Sequence, residues 1–289
     1  MTLIKIGNVT MKRNKSFADT PFYLVATPIG NLSETSPRLV ETLNSVDFIA
    51  CEDSRVTRKL LSHLDISKPL ISLHQFNETS KSEVIINKIK DGEKGAYLSD
   101  AGYPLISDPG ARLVATLLDH DIHISVINGP SALLPALIGS GLASDHFYFH
   151  GFLDLKAKKE QLDEITAKKE TLIFYEAPHR IEKTIRFLYS LLGNRRASLV
   201  RELTKLHEEY IYGTLEELLE LDYPTIRGEL VLVVEGNNSE VALDESQLIL
   251  KIETLISEGY KSKEAIKIVA LLDGISKNSL YDLYLKTKN

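Results

Sequence analysis

Ser99-Asp-Ala-Gly-Tyr-Pro-Leu-Ile-Ser-Asp-Pro-Gly110 joins an apolar strand, Ala96 to Leu98, to an amphipathic helix expected from Ala111 to Leu118. Two aspartates, two prolines and two glycines punctuate this one connection. Proline and glycine fix the backbone path, and glycine lets a ligand approach the main chain. The plain alternative is a long turn with a helix cap, but connections of this length usually carry function. In open α/β sheets ligands bind beyond the carboxyl ends of the strands, where such a loop lies.

Working outward, the first half alternates strand and helix. Strands are expected at Phe22–Ala26, Phe48–Cys51, Leu70–Leu73, Ala96–Leu98 and Ile122–Ile127, with helices from Pro37, over Val56–Leu64 and over Ser82–Lys90. Ser36 is the expected N-cap of the first helix, with Pro37 at its first position. This βαβ pattern implies a mostly parallel sheet covered on both faces. The second half reads differently. It has strands at His146–His150, Leu172–Tyr175, Ala197–Val200, Glu208–Tyr212 and within Gly228–Gly236, and a helix from His179 to Leu192 closed by Gly193. That is a second α/β domain with a mixed sheet. Helices follow at Gln247–Ser257, Ser262–Leu272 and Lys277–Lys286, punctuated by Gly259 and Gly274. The expected organisation is a flexible leader over 1–20, α/β domains over 21–140 and 141–240 with the linker near Ser140 to Asp145, and a helical tail over 241–289.

Composition narrows the class. An apolar share of 43% and a charged share of 26% are those of a globular protein, and no apolar run is long enough for a bilayer. The single cysteine, Cys51, excludes an internal disulfide, which fits a cytoplasmic protein, and no Cys/His spacing suggests zinc. The net charge of -6 argues against a nucleic-acid partner, yet its distribution argues back. From Asp154 to Lys205 twelve basic residues face eight acidic ones, whereas from Leu206 to Gly259 two face thirteen. An acidic protein can still present a basic face.

Four loops follow strands of the first domain: Thr27-Pro-Ile-Gly-Asn31, Glu52-Asp-Ser-Arg55, Ser99 to Gly110, and Asn128-Gly-Pro-Ser-Ala132. A parallel sheet brings them to one edge and makes a pocket. Backbone donors and acceptors with two or three carboxylates suit a cationic, nucleotide-like small molecule. A phosphate-binding P-loop and a dinucleotide fingerprint are both absent. Glu52 and Asp53 stand where a ribose-binding acid belongs, and a salt bridge from Arg55 is an equal alternative for Asp53. The second domain adds Tyr175-Glu-Ala-Pro-His-Arg180 and Arg201-Glu-Leu-Thr-Lys205, each mixing acid and base after an apolar strand. These read either as surface ion pairs or as a substrate face at the mouth of a cleft. His179 alone reads as a helix-start residue. Tyr103, Tyr175, Phe174 and Phe76 are candidates to stack on a base.

These motifs, together with Asp108-Pro-Gly110, Gly129-Pro130, Phe174-Tyr-Glu176, Gly228-Glu229, Glu235-Gly236 and Ser276-Lys-Asn-Ser-Leu-Tyr281, stand in an order and spacing that resembles the ribosomal RNA small subunit methyltransferase I family of the tetrapyrrole methylase superfamily. The resemblance runs from about Phe22 to the tail. It implies two α/β domains with S-adenosylmethionine folded into the cleft between them, a cytoplasmic homodimer, and 2'-O-methylation of a cytidine ribose in the decoding region of 16S rRNA within the small ribosomal subunit. By the same resemblance the cofactor contacts fall on Pro28, on Asp100, Gly102 and Tyr103, on Ser131 and Ala132, and on Tyr175, Glu202 and Leu230. Tyr103 departs from the pattern, which commonly has threonine there.

Methyl transfer from a sulfonium is an in-line displacement in which alignment is much of the task. A carboxylate pressed on the sulfonium would favour the ground state, so backbone carbonyls are the milder holder. The 2'-hydroxyl needs a base or a charge stabiliser, for which Asp53, Glu176, Glu202 and Lys205 are the candidates. Arg180, Arg201 and Lys205 are expected to hold RNA phosphates. Two competing readings are a methyltransferase acting on a small tetrapyrrole, which needs a deep apolar cleft, and a non-enzymatic RNA-binding protein, which would not bind the donor.

Overall fold

Phe22-Tyr-Leu-Val25, Phe48-Ile-Ala-Cys51 and Gly95-Ala-Tyr-Leu98 are buried at every position, as strands covered on both faces must be. Successive side chains alternate between two cores. Phe22, Leu24, Phe48, Ala50 and Tyr97 pack on one side, and Tyr23, Val25, Ile49, Ala96 and Leu98 on the other. The structure, a computed structural model, describes residues 2–6, 9–13, 20–74, 76–238, 245–272 and 276–287. Lys15, expected in the leader, and Gly274, expected between the last helices, lie outside them.

A hairpin of β1 (Thr2–Ile6) and β2 (Val9–Arg13) occupies the stretch expected to be a frayed leader. The first lobe then runs β3 (Phe22–Val25), α1 (Pro37–Ser45), β4 (Phe48–Cys51), α2 (Ser54–His63), β5 (Leu70–Ser72), α3 (Glu78–Lys90), β6 (Gly95–Leu98), α4 (Ala111–Asp119), β7 (Ile124–Ile127) and α5 (Leu133–Gly139). Its sheet has the order β5-β4-β6-β3-β7, with every pair parallel. Ser36 caps α1 as expected, its Oγ accepting from Leu39 N at 3.1 Å. Asp53 caps α2, accepting from Arg55 N at 2.8 Å, and so starts that helix two residues before the hydrophobic pattern does.

The second lobe runs β8 (Phe147–Phe152), α6 (Lys159–Ala167), β9 (Thr171–Glu176), α7 (Ile181–Leu192), β10 (Arg196–Arg201), β11 (Glu209–Thr214), the single turn α8 (Leu215–Leu218) and β12 (Leu230–Val234). Its order is β11-β10-β12-β9-β8, parallel only between β8 and β9, so the sheet is mixed as expected. Leu172, Phe174, Leu199 and Leu232 face α7 in one core. Ile173, Val200, Val231 and Val233 face the other way, onto Ala136 and Leu137 of α5 and onto Ile29. That core joins the lobes, and residues 1–237 form one compact unit.

Residues 238–289 form a second unit. In it α9 (Glu245–Ser257), α10 (Ser262–Leu272) and α11 (Lys277–Lys286) enclose Leu248, Ile252, Ile266, Val269, Leu280 and Tyr284. Among the described residues no helix is long and apolar enough to cross a membrane.

Candidate active site

The parallel first sheet puts the ends of β4, β6, β3 and β7 side by side, and the long loop after β6 is bonded to the other three loops. Thr27 N donates to Gly102 O at 2.9 Å and Gly102 N returns the bond to Thr27 O at 3.0 Å. Asp53 N donates to Asp100 Oδ1 at 3.1 Å, and Gly129 N to Tyr103 Oη at 3.3 Å. The tyrosine that departs from the family pattern thus ties two loops together. Gly129 is required beside it, because a Cβ there would lie 2.8 Å from Ala26 O. Within the long loop Leu105 and Ser107 adopt φ of 72° and 66°, a conformation side chains disfavour and functional loops retain.

These loops floor a cavity of about 830 Å³ whose opposite wall is the second lobe. Of the residues expected to touch the cofactor, Asp100, Gly102, Tyr103, Ser131, Ala132, Tyr175 and Leu230 line it. Pro28 and Glu202 do not. Pro28 precedes the lining residue Ile29, and the Glu202 carboxylate is drawn aside to Lys205 Nζ at 3.0 Å. Tyr175 is packed edge-on by Phe149 and Phe152, with centroids at 4.9 and 6.0 Å. Burial pushes its phenol up to about 12. Phe147 and Phe149 reach the cavity by strand alternation. A bulge between Phe149 and Gly151 then shifts the register and brings Phe152 to the same side. The aromatic alternation of this strand was visible in the sequence, and the bulge was not. Phe174 is core and Phe76 is exposed away from the cavity, so neither is a stacking residue there.

Of the four proton-handling candidates only Glu176 lines the cavity, and it is occupied. Its buried carboxylate accepts from Thr184 Oγ1 at 2.6 Å and Ala177 N at 2.9 Å and pairs with Arg180 Nε at 3.4 Å. Asp53 is gripped by Arg55 at 2.6 Å, and these bonds hold its carboxyl at about 2, too weak a base for the task. This resolves the choice left open for Asp53 in favour of the salt bridge. Glu202 and Lys205 neutralise each other, and Lys205 lies 3.6 Å from Glu229 as well. The cations expected to hold RNA are also engaged. Arg180 donates to Leu153 O at 2.7 Å besides its pair with Glu176, Arg201 is bonded to Glu209, and Lys205 is paired as above.

The charge of the cavity is one-sided. Glu52, Asp100, Asp108, Glu176 and Glu229 line it, and among the described residues no lysine, arginine or histidine does. Burial raises Asp100, burial with repulsion from Asp100 and Asp53 raises Glu52, and burial with repulsion from Glu52 and Asp100 pushes Asp108 up to about 7. A bound cation relieves that repulsion. The donor set therefore fits an adenosyl sulfonium: carboxylates and carbonyls for the positive end, an aliphatic and aromatic wall for a ring, and a volume within the range of small-molecule sites. Among the described residues no group of three or more His, Cys, Asp or Glu is arranged to hold a metal ion.

Two α/β lobes closing on such a cavity at the carboxyl ends of a parallel sheet have the architecture of a methylase. The family model for tetrapyrrole (corrin/porphyrin) methylases matches residues 21–219. Diphthine synthase superposes with a TM-score of 0.59 at 14% identity, over 74% of this chain and 89% of that one. Uroporphyrin-III-C-methyltransferase from Thermus thermophilus superposes with a TM-score of 0.56 at 17% identity, over 74% and 93%. The ribosomal RNA small subunit methyltransferase I of Bacillus subtilis (strain 168) is 44% identical over 91% of this chain and 93% of its own length. That of Haemophilus influenzae is 43% identical over 91% and 95%. The chain belongs to the tetrapyrrole methylase family, in its ribosomal RNA small subunit methyltransferase I group. Methylases of this family take their methyl group from S-adenosylmethionine.

Proposed function

We propose that the chain methylates the ribose 2'-oxygen of a cytidine in the decoding region of 16S rRNA, acting in the cytoplasm on the small ribosomal subunit. The observation that carries the donor half is the cation-free, carboxylate-lined cavity between the lobes. Bound there, S-adenosylmethionine supplies a methyl group already activated by a positively charged sulfur. Gly102, Ser131 and Ala132 offer main-chain atoms to it, Asp100 a nearby negative charge, and Tyr103, Tyr175 and Leu230 the enclosing surface. Pro28 and Glu202 act from behind. The Glu202 carboxylate fills the space a Cβ on Gly228 would take, and so props the turn that leads into β12.

The acceptor half draws on the relatives named above and on the rim. Phe147 and Phe152 line the cavity while 41% and 54% exposed, which suits a base turned out of an RNA strand. The same apolar rim would suit a tetrapyrrole. Mapping ribose methylation on 16S rRNA from a strain lacking the gene separates the two. Loss of one cytidine 2'-O-methyl group, restored by the gene, is expected, and an unchanged map overturns the reading.

For the phosphates, cations without carboxylate partners serve better than Arg180, Arg201 and Lys205. Lys156 and Lys158 on the connection from β8 to α6, and Lys159 at the first position of α6, are exposed a few residues after Phe152. Replacing all three with alanine is expected to lower the slope of log affinity for RNA against log salt by about 2. Filter binding across a salt series reads it, and an unchanged slope removes this role.

Self-association through α5 and β11 completes the proposal. Ile138 and Tyr212 are 73% and 63% exposed, and Tyr212 Oη donates to Gly139 O at 3.0 Å, so the two lie on one apolar face. Light scattering is expected to give twice the chain mass, and Ile138→Lys the mass of a single chain.

A further inference from the structure

The carboxylates of the cavity differ in how they are engaged. Asp100 accepts from Asp53 N, Glu176 is bonded to Thr184 and Arg180, and Glu229 pairs with Lys205. The side-chain carboxylates of Glu52 and Asp108 have no hydrogen-bond or ion-pair partner among the described residues. Of these two, Asp108 sits where the long loop meets the opposite lobe: Ser107 before it lies against Gly151 of β8, where a Cβ would stand 3.0 Å from Ser107 Oγ, and Asp108 shares the cavity with Tyr175. Its backbone is fixed. Ser107 before it has a φ of 66°, and the buried Tyr97 donates its hydroxyl to Pro109 O at 3.0 Å after it.

We propose that Asp108 takes the proton from the acceptor hydroxyl as the methyl group is transferred. The proposal rests on the 2'-O-methylation reading. The hydroxyl oxygen bonds the methyl carbon, the sulfur–carbon bond breaks with its electron pair remaining on sulfur, and the proton passes to an Asp108 carboxylate oxygen. The product is a neutral methyl ether, and the sulfonium has become a thioether. No further reactant is needed.

An ordinary aspartate is too weak a base for a hydroxyl. Asp108 is a stronger one because burial and its neighbours disfavour its charge, which places its carboxyl at about 7. The groups that act on it are Glu52 and Asp100, and it acts in turn on Tyr97 and Tyr175. None is a cation. Because the folded value lies above the unfolded one, the native state loses stability as pH rises from about 4 to about 7, and the full penalty persists above that.

The test compares wild type with Asp108→Asn on 16S rRNA, using labelled S-adenosylmethionine. Asp108→Asn is expected to lower kcat by about 10²–10³-fold. Its donor Kd by calorimetry should rise by less than about tenfold, since one of several cavity carboxylates loses its charge while the shape and Asp100 are kept. Wild-type kcat/KM, which reports the free enzyme, should fall on the acid side with a midpoint near 7. Asp108→Asn should melt above wild type at pH 8, with the gap closing toward pH 4, a readout independent of turnover. Wild-type turnover in the variant overturns the proposal. So does a donor affinity reduced more than about tenfold, which would make Asp108 a donor-holding residue. If the variant does not fold, a wild-type kcat/KM that is flat between pH 6 and pH 8 overturns it equally. A wild type that places no methyl group on a ribose oxygen of the RNA defeats the functional reading itself, and this proposal with it.

Discussion

Arg180→Ala is expected to lower the thermal midpoint while leaving the salt dependence of RNA binding unchanged. Glu176 is a carboxylate with no exposed side-chain surface at the end of β9, and among the described residues Arg180 is the one cation paired with it. Removing one partner of a fully buried pair costs about 3–5 kcal/mol. Here Arg180 is 38% exposed, and Thr184 and the Ala177 amide still serve the carboxylate, so about 2 kcal/mol is the expected loss. For a unit of this size that is a fall of about 4–8 °C. The opposite pattern, an unchanged midpoint with a salt slope reduced by about 1, would return Arg180 to the phosphate-holding role its place in the sequence suggested.

Gly110→Ala is expected to lower both stability and donor affinity. Gly110 closes the long loop with a φ of 119°, where an L side chain is strained by about 1–2 kcal/mol. A Cβ there would also lie 2.6 Å from the Tyr97 ring, which is fully buried and has no room to retreat. Overpacking of that kind adds about 1–3 kcal/mol. The combined loss, about 3 kcal/mol, predicts a fall of about 6–12 °C by calorimetry. Displacing Tyr97 also breaks its bond to Pro109 O, which holds the backbone around Asp108. S-adenosylmethionine affinity should therefore fall at least about tenfold, because the site depends on main-chain geometry that the loop no longer keeps. A variant that melts with wild type and binds the donor with wild-type affinity would show that the loop does not shape the site.

Much of the architecture was legible because local rules and tertiary packing agree. Ser36-Pro37 marks the start of α1, Phe48–Cys51 is the strand the apolar run specified, and Gly193 ends α7 with a φ of 74°. Ser262–Leu272 and Lys277–Lys286 are helices at the expected bounds. Where packing decides, the signal fails. Leu133-Leu-Pro-Ala-Leu-Ile-Gly139 has no polar face and a proline inside, so no helical pattern announces α5. It forms because Ala136 and Leu137 are buried against the second sheet. The charged segment Lys159–Ala167 buries only Ile165, too little to reveal α6 by periodicity.

The same division runs through the site. The sequence by itself determined that four punctuated loops meet at one edge of a parallel sheet, because connection length and strand alternation leave that topology as the consistent one. It also supplied the residue types that recognise a cation. Only the tertiary structure decided which charges remain free. Asp53, Glu176, Glu202, Arg180, Arg201 and Lys205 each find an opposite charge within reach, whereas Asp108, quoted in the sequence only as part of a turn, finds none among the described residues at the point where the long loop meets the opposite lobe. The pairs themselves join residues close in the chain, Asp53 to Arg55, Glu176 to Arg180, Glu202 to Lys205 and Arg201 to Glu209, so spacing allowed them; the turns that bring each charge onto its partner, and leave Asp108 without one among the described residues, are set by packing over a few ångströms.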